Sequence, residues 1–249
     1  MGELERQRAI HLRLSGMPQA RGGRSPALPT GFPSLDRALG IGGLPRGSIV
    51  EIFGPASSGK TALALQCIAR AQRDGAAAAW IDADRAFDAA FAAQLGVDVA
   101  RLPVAVPATA EEALEMARQF AASDAIDLVA IDSAAALVPR LEMEAGIGSA
   151  GAGLQTRVLS TELRRLSRMA ARSRACIVFL SQMRVRLGSP GEIETSSGGP
   201  PLKLYAALRM ALAATGRLVR FRILKNRFAA PFAAGELEWQ PGSGFREAR

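Results

Sequence analysis

Eight consecutive residues carry the clearest chemical signal in this 249-residue chain: Gly54, Pro55, Ala56, Ser57, Ser58, Gly59, Lys60 and Thr61. They follow a β-rich run, 48–53, and precede a helical stretch, 61–73. The pattern G-x-x-x-x-G-K-[ST] between a strand and a helix is a phosphate loop. Its Gly-rich backbone turns N–H groups into one concavity, and the helix N-terminus adds partial positive charge, so the turn suits an anion. Lys60 would place its ammonium on β- and γ-phosphates, and the Thr61 hydroxyl would ligate Mg²⁺. The plain alternative is an ordinary Gly/Ser turn. Lysine usage argues against it, because Lys60, Lys203 and Lys225 are the only lysines among 31 basic residues. A chain that uses arginine almost everywhere keeps lysine where a compact ammonium is needed.

A bound Mg²⁺–triphosphate also calls for a carboxylate at the end of a neighbouring buried strand. The apolar run 126–131 ends in Asp132, which fits that role; a helix-capping aspartate is the competing reading. Asp82 and Asp84 follow a second buried run, 77–81, and fall at the same sheet edge. There they either orient an attacking water or sit in a solvated turn, and residue type does not choose between the two.

Such residues need elements to hold them. From Gly31 onward strand-like runs (48–53, 77–81, 103–106, 126–131, 176–181) alternate with helical stretches (61–73, 109–122, 154–174). Thr109-Ala110-Glu111-Glu112 opens the middle helix as a capping box. Alternating patterns at 218–224 and 236–239 close the chain, whereas 146–153 and 183–201 read as loops rich in small residues. Repeated β-loop-α units predict an α/β fold with a mostly parallel central sheet flanked by helices. Residues 1–28 read as a short N-terminal arm and linker, leaving 29–249 as one core without internal repeats.

Composition narrows the functional classes. The chain is 49% hydrophobic but only 5% aromatic, so Ala, Leu, Val and Ile must fill a sizeable core. Two cysteines, Cys67 and Cys176, make no disulfide framework. The single histidine, His11, rules out a multi-histidine metal site and leaves a Ser-His-Asp triad little to work with. Asp82, Asp127 and Asp132 interrupt the best apolar runs, so no membrane span is expected, and the N-terminus lacks a signal-peptide stretch. A cytoplasmic setting is the expectation. The formal net charge of +8 suits a polyanionic partner. Residues 151–191 hold eight arginines against one acid, Glu162, so nearly the whole imbalance sits in one segment. Within it Arg157, Arg164, Arg168 and Arg172 share a helix face. On spacing alone, a solvated face is the better reading of that stripe.

The phosphate loop is accompanied by further motifs: Ser34 to Gly40, Gly42-Gly43-Leu44-Pro45, Glu51 to Pro55, Ile81-Asp82-Ala83, Leu180 to Arg184, Gly198-Gly199 and Lys225 to Phe232. As a set they resemble the ATP-binding core of bacterial RecA recombinases, from about Gly31 to Phe245. The resemblance implies a RecA-like P-loop NTPase fold, ATP and Mg²⁺ as cofactors, and single-stranded DNA as partner. It places Phe91 where the family stacks adenine on a tyrosine, and Asp84 where the family has its catalytic glutamate. Gln182 takes the place of the residue that senses the γ-phosphate and couples it to the next DNA loop. Lys225 and Arg227 match two lysines that reach the neighbouring subunit's ATP in the family's filament, which implies homo-oligomers. Arg157 and Arg164 follow the first DNA loop, Arg184 begins the second, and Gly198 and Gly199 resemble a turn that grips a phosphate.

The departures from the family are specific. Asp84 is one methylene shorter than glutamate, so hydrolysis is expected to be slow. The first loop lacks a bulky wedge, the second lacks the family's aromatic, the N-terminal arm is short, and no C-terminal domain is expected. Two functions follow. One is a DNA-repair ATPase that binds single-stranded DNA and weakly hydrolyses ATP during recombination or the DNA-damage (SOS) response. The other is a non-recombinase accessory protein, similar to the ImuA family of bacterial mutagenesis cassettes, acting through contacts with a translesion polymerase complex or with RecA itself. The intact phosphate loop, Gln182 and the arginines favour the first; the bare loops, the truncation and Asp84 favour the second. A DnaB-like hexameric motor shares the phosphate loop but leaves Lys225 to Phe232 unexplained.

Overall fold

A computed structural model of the chain describes residues 26–145, 153–185 and 194–248. In chain order its strands are β1 (Ala27–Leu28), β2 (Leu44–Pro45), β3 (Ile49–Gly54), β4 (Ala78–Asp82), β5 (Val104–Ala105), β6 (Leu128–Asp132), β7 (Cys176–Val185), β8 (Glu194–Ser196), β9 (Leu208–Thr215), β10 (Leu218–Asn226), β11 (Ala234–Gln240) and β12 (Gly244–Glu247). The α-helices are α1 (Pro33–Leu39), α2 (Lys60–Arg73), α3 (Ala89–Gln94), α4 (Ala110–Ala122), α5 (Arg140–Glu144), α6 (Leu154–Ser173) and α7 (Gly199–Tyr205).

The main sheet runs β12-β11-β10-β9-β3-β7-β6-β4-β5, with β8 paired to β7. From β9 to β5 neighbours are parallel, whereas β10, β11 and β12 add an antiparallel wing. This is the mostly parallel α/β architecture expected from the sequence. Strands covered on both faces read as continuous apolar runs, and β3 is buried at every position. On the wing, β10 alternates: Val219, Phe221 and Ile223 point inward while Arg220 and Arg222 face solvent.

Two apolar layers hold the helices to the sheet. Val50, Ile52, Val178 and Leu180 pack under α2, through Leu63 and Ile68. Ile131, Ile177 and Phe179 pack on the opposite face against Leu114 and Phe120 of α4 and Leu163 and Leu166 of α6. The start of α4 follows the capping-box expectation with one change. Thr109 Oγ1 accepts from the Glu112 N–H at 3.2 Å, but the Glu112 carboxylate reaches back to the Ala108 N–H at 2.7 Å.

Several segments differ from the sequence reading. Strand β7 continues through Val185 and pairs with β8, so part of the 183–201 loop is a hairpin stem, and α7 follows it. Strands β9 and β12 had no clear alternation to reveal them; β9 is buried at Leu208, Arg209 and Met210 in succession. Ala27 and Leu28, read as linker, are buried and pair with β2. Residues 1–25 of the arm, the glycine-rich 146–152 segment and 186–193 lie outside the described residues. Among the described residues no helix is long and apolar enough to cross a membrane.

Candidate functional site

The phosphate-loop residues sit at the carboxyl end of β3, where Gly54 is still in the strand and Lys60 is the first residue of α2. Ser57 and Gly59 take positive φ, 58° and 85°, which turns the backbone into a concave cradle. The two framing glycines leave no room for side chains. A Cβ on Gly54 would lie 2.4 Å from the Leu212 carbonyl oxygen, and one on Gly59 would lie 2.3 Å from the Phe245 ring. Pro55, Ala56 and Ser57 form the exposed rim, and Ser58 is buried beneath it. Lys60 is buried, and its Nζ donates to the carbonyl oxygens of Pro55 at 2.6 Å and Gly54 at 3.2 Å and to Ser58 Oγ at 3.4 Å. Burial holds the ammonium below the usual lysine range, opposed by the nearby Asp132 charge.

Asp132 closes the other side. Thr61 Oγ1 donates to Asp132 Oδ2 at 2.8 Å. Burial pushes this carboxyl up to about 6; the Thr61 bond works against that, and the charges of Asp84 and Asp82 add to it. Asp82 and Asp132 face each other across the β4–β6 register. The two neighbouring acids divide their roles. Asp82 is buried and accepts from the Ala86 and Phe87 N–H groups, so it anchors a turn. Asp84 is exposed, its N–H donates to the Asp132 carbonyl, and its charge is close enough to raise the Asp132 carboxyl. Gln182 lies opposite Gly54 in the β3–β7 register with an exposed side chain.

These residues fit a magnesium–triphosphate. Both glycines hold the backbone in a turn that packed neighbours would deny to any side chain, and the lysine ammonium is bonded to neutral oxygens. A hydroxyl and one carboxylate are the hard oxygen ligands Mg²⁺ takes when phosphates and water complete its shell. Beside the loop a cavity of about 320 Å³ is lined by Lys60 and Thr61 together with Phe91, Val219, Trp239 and Phe245. Phe91 is carried by α3, whose N-cap Asp88 accepts from the Ala90 and Phe91 N–H groups. Trp239 and Phe245 were not among the sequence candidates. Their rings meet edge to face, 5.2 Å between centroids, and the Gln66 side-chain amide of α2 clasps the Phe245 backbone, its Nε2 donating to the carbonyl and its Oε1 accepting from the N–H.

The basic residues form a separate group. Arg157, Arg164, Arg168 and Arg172 are exposed along α6, and Arg164 Nε donates to the Tyr205 hydroxyl at 3.2 Å. The Arg184 backbone pairs with Thr195, and its side chain is outside the described residues. Gly198 precedes α7 and Gly199, at φ 63°, begins it; a Cβ on Gly198 would strike the Leu202 side chain.

Known proteins resemble this chain over most of its length. The model of the RecA N-terminal domain family covers residues 17–246. The chain is 44% identical over 237 residues to Protein RecA 1 of Myxococcus xanthus, covering 91% of this chain and 69% of that protein. The chain belongs to the RecA family. RecA of Thermus thermophilus is 44% identical, covering 94% of this chain and 71% of that protein. RecA of Chloroflexus aggregans is 45% identical, with 85% and 64% covered, so the chain spans about two thirds of its relatives' lengths. In fold it is similar to a crystal structure of the RadB recombinase: TM-score 0.70, 20% identity, 89% of this chain and 100% of that one.

Within this RecA-family core, two assigned residues stand apart from the cradle. Lys225 Nζ donates to the carbonyl oxygens of Lys203 and Leu204 at 2.9 and 3.0 Å, and Arg227 Nη2 donates to Leu204 O at 3.2 Å. Both therefore cap the carboxyl end of α7, where exposed carbonyls attract cations, and neither lines the cavity beside the phosphate loop.

Proposed function

We propose that the chain is an ATP-binding DNA-repair protein of RecA type. It holds Mg·ATP at the phosphate loop, binds single-stranded DNA along α6 and the segments flanking it, and hydrolyses ATP slowly. The observation that carries this reading is the meeting of Lys60, Thr61 and Asp132 at one sheet edge, with Gln182 in register beside Gly54. Lys60 would neutralise the outer phosphates, while Thr61 and Asp132 would hold Mg²⁺, which draws charge from the phosphoryl oxygens when bound. Asp84 would orient the attacking water, and Gln182 would report the γ-phosphate to the strand it stands on. Phe91 supports the base end of the cavity, and Arg157, Arg164, Arg184, Gly198 and Gly199 provide phosphate contacts for DNA. Lys225 and Arg227 would act between copies of the chain.

A second reading has its own support. Leu204, Phe228 and Phe232 are 64%, 44% and 67% exposed near the α7 carbonyl end, a surface suited to protein contact. It would make the chain an accessory protein that docks on RecA or on a translesion polymerase complex. Electron microscopy of the protein with single-stranded DNA, Mg²⁺ and a non-hydrolysable ATP analogue separates the two. Nucleotide-dependent filaments support the first. Unassembled protein, with capture of a polymerase complex instead, supports the second.

A further inference from the structure

On the sheet face opposite α2, a buried polar group joins the strand that feeds the phosphate loop to the strand that follows the 186–193 segment. Arg209 of β9 stands beside Glu51 of β3 in the parallel register. Its Nε donates to Glu51 Oε2 at 2.5 Å, and its guanidinium carbon sits 4.7 Å from the Phe53 ring centroid. Its Nη2 donates to Ser196 Oγ at 3.4 Å. The two charged side chains are 8% and 0% exposed. Glu51 Oε1 and the Ser181 hydroxyl of β7 have no hydrogen-bond partner among the described residues. One guanidinium thus touches β3 three residues and one residue before Gly54, and touches β8 at its last residue. The next residue, Ser197, brackets the Gln182 backbone: Gln182 N–H donates to Ser197 Oγ at 3.0 Å, and Ser197 N–H donates to Gln182 O at 2.8 Å.

Stability alone explains this group poorly. A buried ion pair is often no better for stability than an apolar pair of the same volume, and an orphaned carboxylate oxygen makes it worse. We infer that Arg209 is a positioning residue that fixes the Ser196–Ser197 end of the second loop against β3, so that nucleotide and single-stranded DNA tighten each other's binding. This rests on the reading above that the chain binds both. Arg209 cannot leave Glu51 without stranding a buried charge, so a shift of Ser196 is passed to Glu51 and Phe53 instead of being absorbed. Linkage makes the effect reciprocal.

The test measures the affinity of a non-hydrolysable ATP analogue with Mg²⁺, with and without a single-stranded oligothymidylate, for the wild-type chain, Ser196→Ala and Arg209→Lys. Ser196→Ala removes one hydroxyl and leaves the ion pair intact. Arg209→Lys keeps a cation beside Glu51 but loses the guanidinium fork. In the wild-type chain DNA should raise analogue affinity by a factor in the usual allosteric range, about 5- to 150-fold. Both variants should bind the analogue as the wild type does without DNA, while that factor falls toward one. A full wild-type factor in folded Ser196→Ala and Arg209→Lys would overturn the role of Arg209 and leave the parent reading standing. Equal weakening with and without DNA would reduce Arg209 to a purely structural part and also overturn it. A wild-type factor of one would instead refute the parent reading, and this inference with it.

Discussion

Asp84 tests how much one methylene matters. Its backbone is held to the Asp132 carbonyl, so the carboxylate reach is set by side-chain length alone. Positioning and general-base effects are worth about 10²–10⁴-fold in rate, and a carboxylate held short of the water forfeits part of that. Asp84→Glu should raise the single-stranded-DNA-dependent ATPase rate, read as phosphate release; an unchanged or lower rate would mean the aspartate already fits or takes no part. At this scale the sequence was legible wherever partners are close in the chain, as from Gly54 to Thr61. It was silent on Trp239 and Phe245, because Phe245 meets Gly59 at a separation of 186 positions and no local pattern marks that contact.

Elements carry the next set of expectations. At the entrance to α2, Gly59 combines φ 85° with the Phe245 ring against its α-carbon. Holding a non-glycine residue there costs about 1–3 kcal/mol before any displacement of the ring. Gly59→Ala should therefore lower the unfolding free energy measured in urea by that order and weaken nucleotide binding as the cradle opens; an unchanged unfolding free energy would contradict the geometry. Along α6, the four arginines face solvent, as both the solvated and the anion-binding readings require. DNA affinity should fall with salt by a slope near −0.7 per phosphate neutralised on a single strand. Replacing Arg157 and Arg164 together should flatten that slope by about two phosphates' worth and weaken all sequences alike. Affinity indifferent to salt would exclude the stripe as the contact surface. Helix α4 was readable from its capping box, and α6 was expected over 154–174. The end of β7 was not, because its pairing with β8 stabilises a stretch whose residues by themselves resemble a loop.

The whole molecule buries what its composition offers, and its two thiols show it. Cys67 and Cys176 are 2% and 0% exposed, and burial pushes the Cys176 thiol up to about 12 and the Cys67 thiol higher still. Neither should react with an aromatic disulfide reagent at pH 8 until the chain is unfolded in denaturant, when both should. The sign for stability follows: the unfolded thiols ionise near their ordinary value of 9.0 while the folded ones stay protonated. Stability should thus be unaffected by them below that pH and decline as pH rises above it. The β-loop-α rhythm made the parallel half of the sheet legible, but not the order of its strands or the antiparallel wing, which tertiary pairing decides. The central claim is that this RecA-family core holds Mg·ATP through Lys60, and calorimetric titration of Mg·ATP into the wild-type chain and Lys60→Ala tests it most directly. Losing the charged hydrogen bonds to phosphate is worth about 1.5–3 kcal/mol, so affinity should fall roughly 10- to 150-fold while circular dichroism stays unchanged. Equal affinity in the two proteins would contradict the account.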